Sequence, residues 1–118
     1  MKLRSAVTAG LAGLVLALAV PGSAFAATGD FSYTFTDDRD EVLTVALHDP
    51  RSEECVNLPY VGSNWVEPGH TPHNATDEAV TVFLGADCTG PQWKLRAHGK
   101  PATENLKVRS VYFHGRPS

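Results

Sequence analysis

The 118-residue chain carries 10 basic and 13 acidic side chains, a formal net charge of −3, and is long enough for one small domain. Residues 1–26 have the pattern of a secretory signal peptide: two basic residues, an apolar run over 11–20, and the small-x-small triplet Ala24-Phe25-Ala26. The apolar run is too short to span a bilayer. Residues 27–118 are then one domain of net charge −5, and without a basic cluster we expect neither nucleic-acid nor membrane binding.

Two cysteines, Cys55 and Cys88, lie in this domain. In an exported protein a disulfide is the default state of such a pair. The bridge would close a loop of 34 residues and stabilise the domain by about 3–4 kcal/mol. A reactive thiol or a metal ligand is the alternative, but the chain has no CxxC spacing.

The first predicted elements are strands. Residues 27–30 are expected to be a disordered leader. Residues 31–36 alternate aromatic and hydroxyl side chains, which predicts a strand with one buried face. After a charged turn at 37–41, residues 42–47 are apolar on both faces, which is typical of a central strand. Residues 55–58 form a short strand that ends at a proline.

Residues 59–77 show no clear periodicity and contain several glycines and prolines. An irregular stretch of this length is unusual in a compact domain and suggests a functional loop. The alternative is a short strand around Trp65 and Val66.

The remaining segments also read as strands. Residues 79–84 alternate, a tight turn follows at 85–91, and residues 92–97 direct Trp93 and Leu95 inward. Residues 106–113 form one last strand, with Val111 and Phe113 on one face. No segment of the domain keeps a helical period for three turns, so the fold class is all-β, a sandwich of seven or eight short strands.

Within residues 80–113, the spacing of Phe83, Cys88 and Gly90, followed by Ser110 before an apolar strand, resembles the Greek-key signature of βγ-crystallin domains. In that signature the glycine supports a folded hairpin that needs a positive φ, and the serine hydroxyl ties the hairpin back to the sheet. Cys88 takes the place of the second aromatic residue. The first half of the domain repeats the signature only loosely. The resemblance implies a single βγ-crystallin-like Greek-key β-sandwich.

Taken whole, the chain looks like small secreted actinobacterial proteins with one crystallin-like domain, a group that includes metalloprotease inhibitors and antifungal, chitin-binding proteins. Residues 60–69 resemble a segment of the antifungal members. The resemblance implies a secreted, extracellular and non-catalytic protein, with antimicrobial binding or protease inhibition as its role.

Metal sites are not expected. A crystallin-type calcium site would fall at residues 105–110, but Leu106 replaces an oxygen ligand and Arg109 brings a positive charge. The acidic run at 37–41 is read as a solvated turn. His70 and His73 are read as exposed loop histidines, because a zinc site needs a third and usually a fourth ligand. We therefore expect no metal and no cofactor.

Catalysis is not expected either, because no nucleophile elbow supports a triad and no carboxylate pair stands out. The candidate binding residues are Tyr60, Asn64 and Trp65, in a loop rich in glycine and proline. Trp65 is either a contact residue or an anchor that packs the loop down, whereas Trp93 is expected in the core. Asn74 matches a glycosylation acceptor, but turn chemistry is the preferred interpretation.

The sequence thus predicts a monomeric, secreted module that binds an extracellular polysaccharide or protein target. The alternatives are a secreted metalloprotease inhibitor, with residues 59–77 as the inhibitory loop, and a structural envelope protein.

Overall fold

The computed structural model describes residues 25–116, so the predicted signal peptide lies almost entirely outside the described residues. The described chain is all-β, as predicted, apart from one 3-10 turn at Ala86–Cys88. Its strands are β1 (Gly29–Thr36), β2 (Val42–His48), β3 (Cys55–Asn57), β4 (Gly69–Thr76), β5 (Val80–Phe83), β6 (Gln92–Leu95), β7 (Lys107–Val108) and β8 (Ser110–Phe113). No helix within these residues is long and apolar enough to cross a bilayer.

The strands form two four-stranded antiparallel sheets. Sheet I has the order β2-β1-β4-β7, and sheet II has the order β3-β8-β5-β6. The first half of the chain, β1 to β4, thus contributes its third strand to sheet II, while the second half, β5 to β8, contributes its third strand to sheet I. This reciprocal exchange links the two halves through backbone hydrogen bonds.

One hydrophobic cluster lies between the sheets. Alternate residues of β1 face strands β5 and β8, and Phe31 meets Phe113 edge to face at a centroid distance of 5.6 Å. Each fully buried apolar side chain contributes about 1.5–3 kcal/mol. The predicted inward positions of Val111 and Phe113 are confirmed, since both are fully buried. The main cluster members on these strands are Phe31, Tyr33, Phe35, Val80, Val82, Val111 and Phe113.

Strand β4 corrects the prediction of an irregular stretch over 59–77, and the alternative strand around Trp65 is also wrong. Its side chains alternate in burial, but the buried set includes Pro72, Asn74 and Thr76. Hydrophobic alternation is therefore absent from the sequence. Pro72 is tolerated in β4 because the register between β4 and β1 shifts here, between Ser32 and Thr34 of β1. At such a bulge the strand does not need the backbone N–H that proline lacks.

The position of β2 is a second correction. Both faces of this strand are apolar, yet it lies at the edge of sheet I, with Val42 and Leu43 exposed at 67% and 42%. The prediction of a disordered leader at 27–30 is also wrong. Ala27 is buried and donates its amide hydrogen to Pro50 O at 2.8 Å, and β1 begins at Gly29.

Two predictions fail in the second half. The last strand is divided at Arg109 into β7, which joins sheet I, and β8, which joins sheet II. Trp93 is 45% exposed and does not belong to the core. Its strand, β6, lies at the edge of sheet II, so an inward-pointing side chain there remains open to solvent on one side.

Candidate functional site

The loop between β3 and β4, residues 58–68, carries the predicted binding residues and is called here the aromatic loop. Trp65 is 93% exposed and Tyr60 is 73% exposed. The base of the loop is anchored, because Leu58 and Val61 are buried in the core cluster. Trp65 is therefore not the anchor that packs the loop down; Leu58 and Val61 are the anchors, and the role of Trp65 as a contact residue stays a prediction.

Arg109 holds the tip of this loop in place. Its guanidinium donates hydrogen bonds to Ser63 O at 3.1 Å and Val66 O at 2.8 Å, on either side of Trp65, and to Leu84 O at 2.9 Å. Three backbone carbonyls from two segments thus converge on one cation. Hydrogen bonds to a charged donor are stronger than neutral ones, and the planar fork suits several acceptors at once. These hydrogen bonds fix the backbone of the loop on both sides of Trp65.

Tyr60 lies on the opposite side of the loop, over β1. Its ring stacks on Phe35 at 5.2 Å with an interplanar angle of 11°. Beneath it, the hydroxyl of Tyr33 donates to Pro59 O at 2.6 Å. Burial, together with the nearby Tyr60, raises the pKa of Tyr33 far above its usual range, so this hydroxyl remains a donor at physiological pH.

A polar cleft of about 340 Å³ opens beside Trp65, between the aromatic loop and the 3-10 turn. Asn57 and Asp87 form a reciprocal pair in its wall: the Asn57 amide donates to Asp87 Oδ1 at 2.8 Å, and Asp87 N donates to Asn57 Oδ1 at 2.8 Å. Asn64 Oδ1 accepts the Ala86 amide at 2.9 Å. We call this the polar cleft; its polar lining is Asn57, Ser63, Asn64 and Asp87.

The hairpin that forms one wall of the polar cleft, residues 84–91, is held by the side chain of Ser110. This hydroxyl donates to Gly85 O at 2.6 Å and accepts the Cys88 amide at 2.8 Å, which confirms the predicted tie. Gly90 has a φ of 83°, as the folded hairpin was expected to need. A Cβ on Gly85 would lie 2.5 Å from Thr89 Oγ1, so the hairpin closes too tightly there for a side chain.

The disulfide between Cys55 and Cys88 is confirmed, with a Cα–Cα distance of 6.0 Å. It joins β3 of the first half to the 3-10 turn of the second half. Asn57 and Asp87 flank the bridge in sequence, so the covalent link and the reciprocal hydrogen-bond pair fix the same wall of the polar cleft.

The predicted residues are only partly brought together. Asn64 and Trp65 line the polar cleft. Tyr60 lines a separate groove of about 390 Å³ with Phe35 and Val66. Sequence reasoning missed Asn57 and Asp87, although their closeness to the two predicted disulfide cysteines was a usable signal.

His70, His73 and Asn74 lie on β4 rather than on a loop, which corrects their predicted position. His70 Nδ1 lies 2.8 Å from Thr71 Oγ1, and His73 Nε2 lies 3.0 Å from Gly99 O. Asn74 is buried; its amide donates to Glu78 O and Arg96 O at 2.7 and 3.0 Å. In residues 25–116 no three His, Cys, Asp or Glu side chains are grouped to hold a metal ion.

Comparison of the chain with family models, curated proteins and solved structures found no match.

Proposed function

We propose that the protein is a secreted, non-catalytic binding module with a βγ-crystallin-like Greek-key fold, and that its target is an extracellular polysaccharide. The observation that carries the proposal is Trp65, which is 93% exposed and yet held by a braced loop beside a polar cleft. The disulfide supports the extracellular part, because such bridges persist in oxidising compartments.

The strand order supports the Greek-key interpretation. In each half two hairpin-linked strands are followed by a third that leaves for the other sheet, and the fourth returns to lie beside the first. A return of the fourth strand to the first is the defining connection of a Greek key. The role of Ser110 in the folded hairpin agrees with the resemblance to βγ-crystallin domains.

The chemistry of the polar cleft suits a sugar. An indole ring offers a broad apolar face against which the C–H face of a pyranose ring can stack, at little conformational cost. The amides and carboxylate beside it, from Asn57, Asn64 and Asp87, offer donors and acceptors to ring hydroxyls. No nucleophile or base is needed for such binding, and antimicrobial action would follow from attachment to a competitor's cell wall.

A protease inhibitor is the second candidate, and the bracing of the aromatic loop favours it. An inhibitory loop must be ordered and protruding, so that it loses little entropy on entering an enzyme cleft. Arg109 and the two buried anchors supply that order here. In this case Trp65 and Val66 would enter the protease.

The test is a binding experiment on purified protein with chitin, cellulose, peptidoglycan and immobilised metalloproteases. Trp65→Ala should weaken polysaccharide binding by roughly 2 kcal/mol or more, as expected for an interface hot spot, and leave the melting temperature nearly unchanged. The matched control is Trp93→Ala, which removes the other indole from β6, at the edge of sheet II opposite β3.

Binding that survives Trp65→Ala but not Trp93→Ala would contradict the proposed site. Capture by the proteases alone, lost on Trp65→Ala, would establish the inhibitor instead. Binding to none of these materials would reject both candidates as stated.

A further inference from the structure

The charges of this chain are strongly segregated. Residues 27–87 contain 12 acidic and two basic side chains, whereas residues 88–118 contain six basic and one acidic. The fold preserves this separation in space. Strands β2 and β3, which line one cavity at one edge of the two sheets, belong to the acidic part, and β6 and β7 at the other edge belong to the basic part. The expectation that the domain lacks a basic cluster is therefore wrong.

Three of the six basic side chains after β5, Lys94, Arg96 and Lys100, lie within seven residues of one another in and just after β6; together with His98 they are called here the cationic edge. All four are exposed. Arg96, His98 and Lys100 line a common cavity of about 430 Å³. The aliphatic part of the Arg96 side chain packs on Gly99: a Cβ on Gly99 would lie 3.1 Å from Arg96 Cγ.

Internal carboxylates do not neutralise these cations. Among residues 25–116 no carboxylate oxygen lies within 4.0 Å of Lys94, Arg96 or Lys100. By contrast, Arg116 pairs with Asp77 at 2.7 Å, and Arg51 pairs with Glu54 at 3.3 Å. An acidic domain thus keeps a surface of uncompensated positive charge, where an external anion gains the most.

We propose that the cationic edge binds an extracellular polysaccharide that carries one carboxylate per sugar residue. The number and spacing of the cations favour such a polymer over nucleic acid. Lys94 lies in β6 and Arg96 directly follows its last residue, so about 6.6 Å of extended backbone separates the two. Duplex DNA carries a charge every ~1.7 Å and is bound through about 6–10 phosphate contacts. A sparse polyanion suits three cations, and it suffers less repulsion from the acidic remainder of the domain.

The cationic edge is separate from the polar cleft. The aromatic loop leads into β4 at Gly69, whereas His98 N and Gly99 N donate to Thr76 O and Asn74 O near its other end, at 2.9 and 3.0 Å. Eight strand residues span about 25 Å. The proposal therefore goes beyond the function proposed above, and either surface can bind without the other.

The test measures binding of purified protein to sodium polygalacturonate by calorimetry at 50 and 200 mM NaCl, with dextran as the uncharged control. We expect binding that weakens with salt, and no binding to dextran. The triple variant Lys94→Gln/Arg96→Gln/Lys100→Gln should lose affinity at least tenfold. Lys100→Gln alone should lose two- to fivefold, and Lys100→Arg should restore it. Arg39→Gln, with the same charge change in the acidic turn, should stay within twofold.

Four results would overturn the proposal. Binding to polygalacturonate no tighter than to dextran would remove the site, and an equal loss in Arg39→Gln would show an effect of net charge only. Tighter binding of a 20-nucleotide single-stranded DNA than of polygalacturonate would make the surface a nucleic-acid site instead. Trp65→Ala should bind polygalacturonate like the wild type, and a loss there would place the polymer in the polar cleft.

Discussion

The two halves of the molecule share a strand order but close their first hairpins differently. In the first half the turn at 37–41 stabilises itself. Asp37 Oδ1 accepts the amides of Arg39 and Glu41 at 2.9 and 2.8 Å, and Asp37 N donates to Glu41 O at 2.9 Å. Every bond is made within five residues.

In the second half the hairpin at 84–91 depends on distant residues. Ser110 holds its backbone, Asn57 pairs with Asp87, and Cys55 is bonded to Cys88. Asp87 and Cys88 have positive φ values, 58° and 56°, so this hairpin holds two non-glycine residues in that disfavoured region, whereas the acidic turn holds one, Asp40 at 65°. The hairpin at the polar cleft therefore adds long-range ties to its own backbone bonds, Leu84 N to Pro91 O and Gly85 N to Thr89 O, both at 2.9 Å, whereas the bonds of the acidic turn described above are all local.

Removal of the disulfide should have the largest effect on stability, because the bridge holds the hairpin of the second half to the first half. Cys55→Ala/Cys88→Ala removes a bridge across 33 residues and should lower the free energy of unfolding by about 3–4 kcal/mol on the chain-entropy account. Urea unfolding of wild type and variant measures the change. An unchanged midpoint would mean that the hydrogen bonds around Ser110 hold the hairpin alone.

Loss of the Arg109 side chain should have the next largest effect. Arg109→Ala leaves three backbone carbonyls without their charged donor and should cost about 2–3 kcal/mol. Arg109→Lys should recover little, because one ammonium cannot replace a planar fork. Hydrogen exchange at the amides of Trp65 and Val66 should accelerate more than in strand β1, and uniform acceleration would contradict a specific brace of the loop.

The serine and aspartate that organise the two hairpins offer a matched comparison. Ser110→Ala should cost about 1–3 kcal/mol, because a fully buried residue leaves both Gly85 O and Cys88 N without a partner. Asp37→Ala should cost about 0.5 kcal/mol, since water can replace the carboxylate at an exposed turn. Equal losses in thermal unfolding would remove the distinction between a local and a tertiary hairpin.

Trp93→Ala should lower the free energy of unfolding less than the same substitution at a core position. The side chain is 45% exposed, so about half of the transfer free energy applies, roughly 1 kcal/mol. Phe31→Ala, at a fully buried position of the first half, is the control and should be clearly more destabilising. A loss at Trp93 as large as at Phe31 would return Trp93 to the core.

The smallest expected effects are on the pH dependence of stability, where a histidine of the first half, His48, and one of the second half, His114, act in opposite directions. A hydrogen bond to Asp30, and then the charge of Asp49, raise the pKa of His48, so its stabilisation is complete below the unfolded pKa and is lost as pH rises through the folded one. Burial, and then Lys94, lower the pKa of His114, so its contribution is lost as pH falls. NMR titration should show the two pKa values on opposite sides of about 6.5.

Much of the fold could be predicted from apolar side chains that are buried as their hydrophobicity requires. The aromatic alternation of β1 and the apolar faces of β5 and β8 predicted the core, because one-sided burial imposes a period of two. The cysteine pair and the tie from Ser110 were also predicted correctly. In the polar cleft, Asn64 and Trp65 were identified, but Asn57 and Asp87 were not.

Strand β4, the edge positions of β2 and β6, and the polar cleft depend on long-range contacts and could not be predicted from the sequence. Strand β4 buries Asn74 and Thr76, so its sequence carries no hydrophobic period. The Asn74 amide donates to Arg96 O, 22 residues along the chain, and the Thr76 hydroxyl donates to Asn74 Oδ1 beside it. Whether β2 and β6 are central or edge strands depends on which strands pair beside them, and local side chains do not encode that choice. The polar cleft is of the same kind, because its walls come from β3, the aromatic loop and the 3-10 turn, and only long-range hydrogen bonds and the disulfide bring them together.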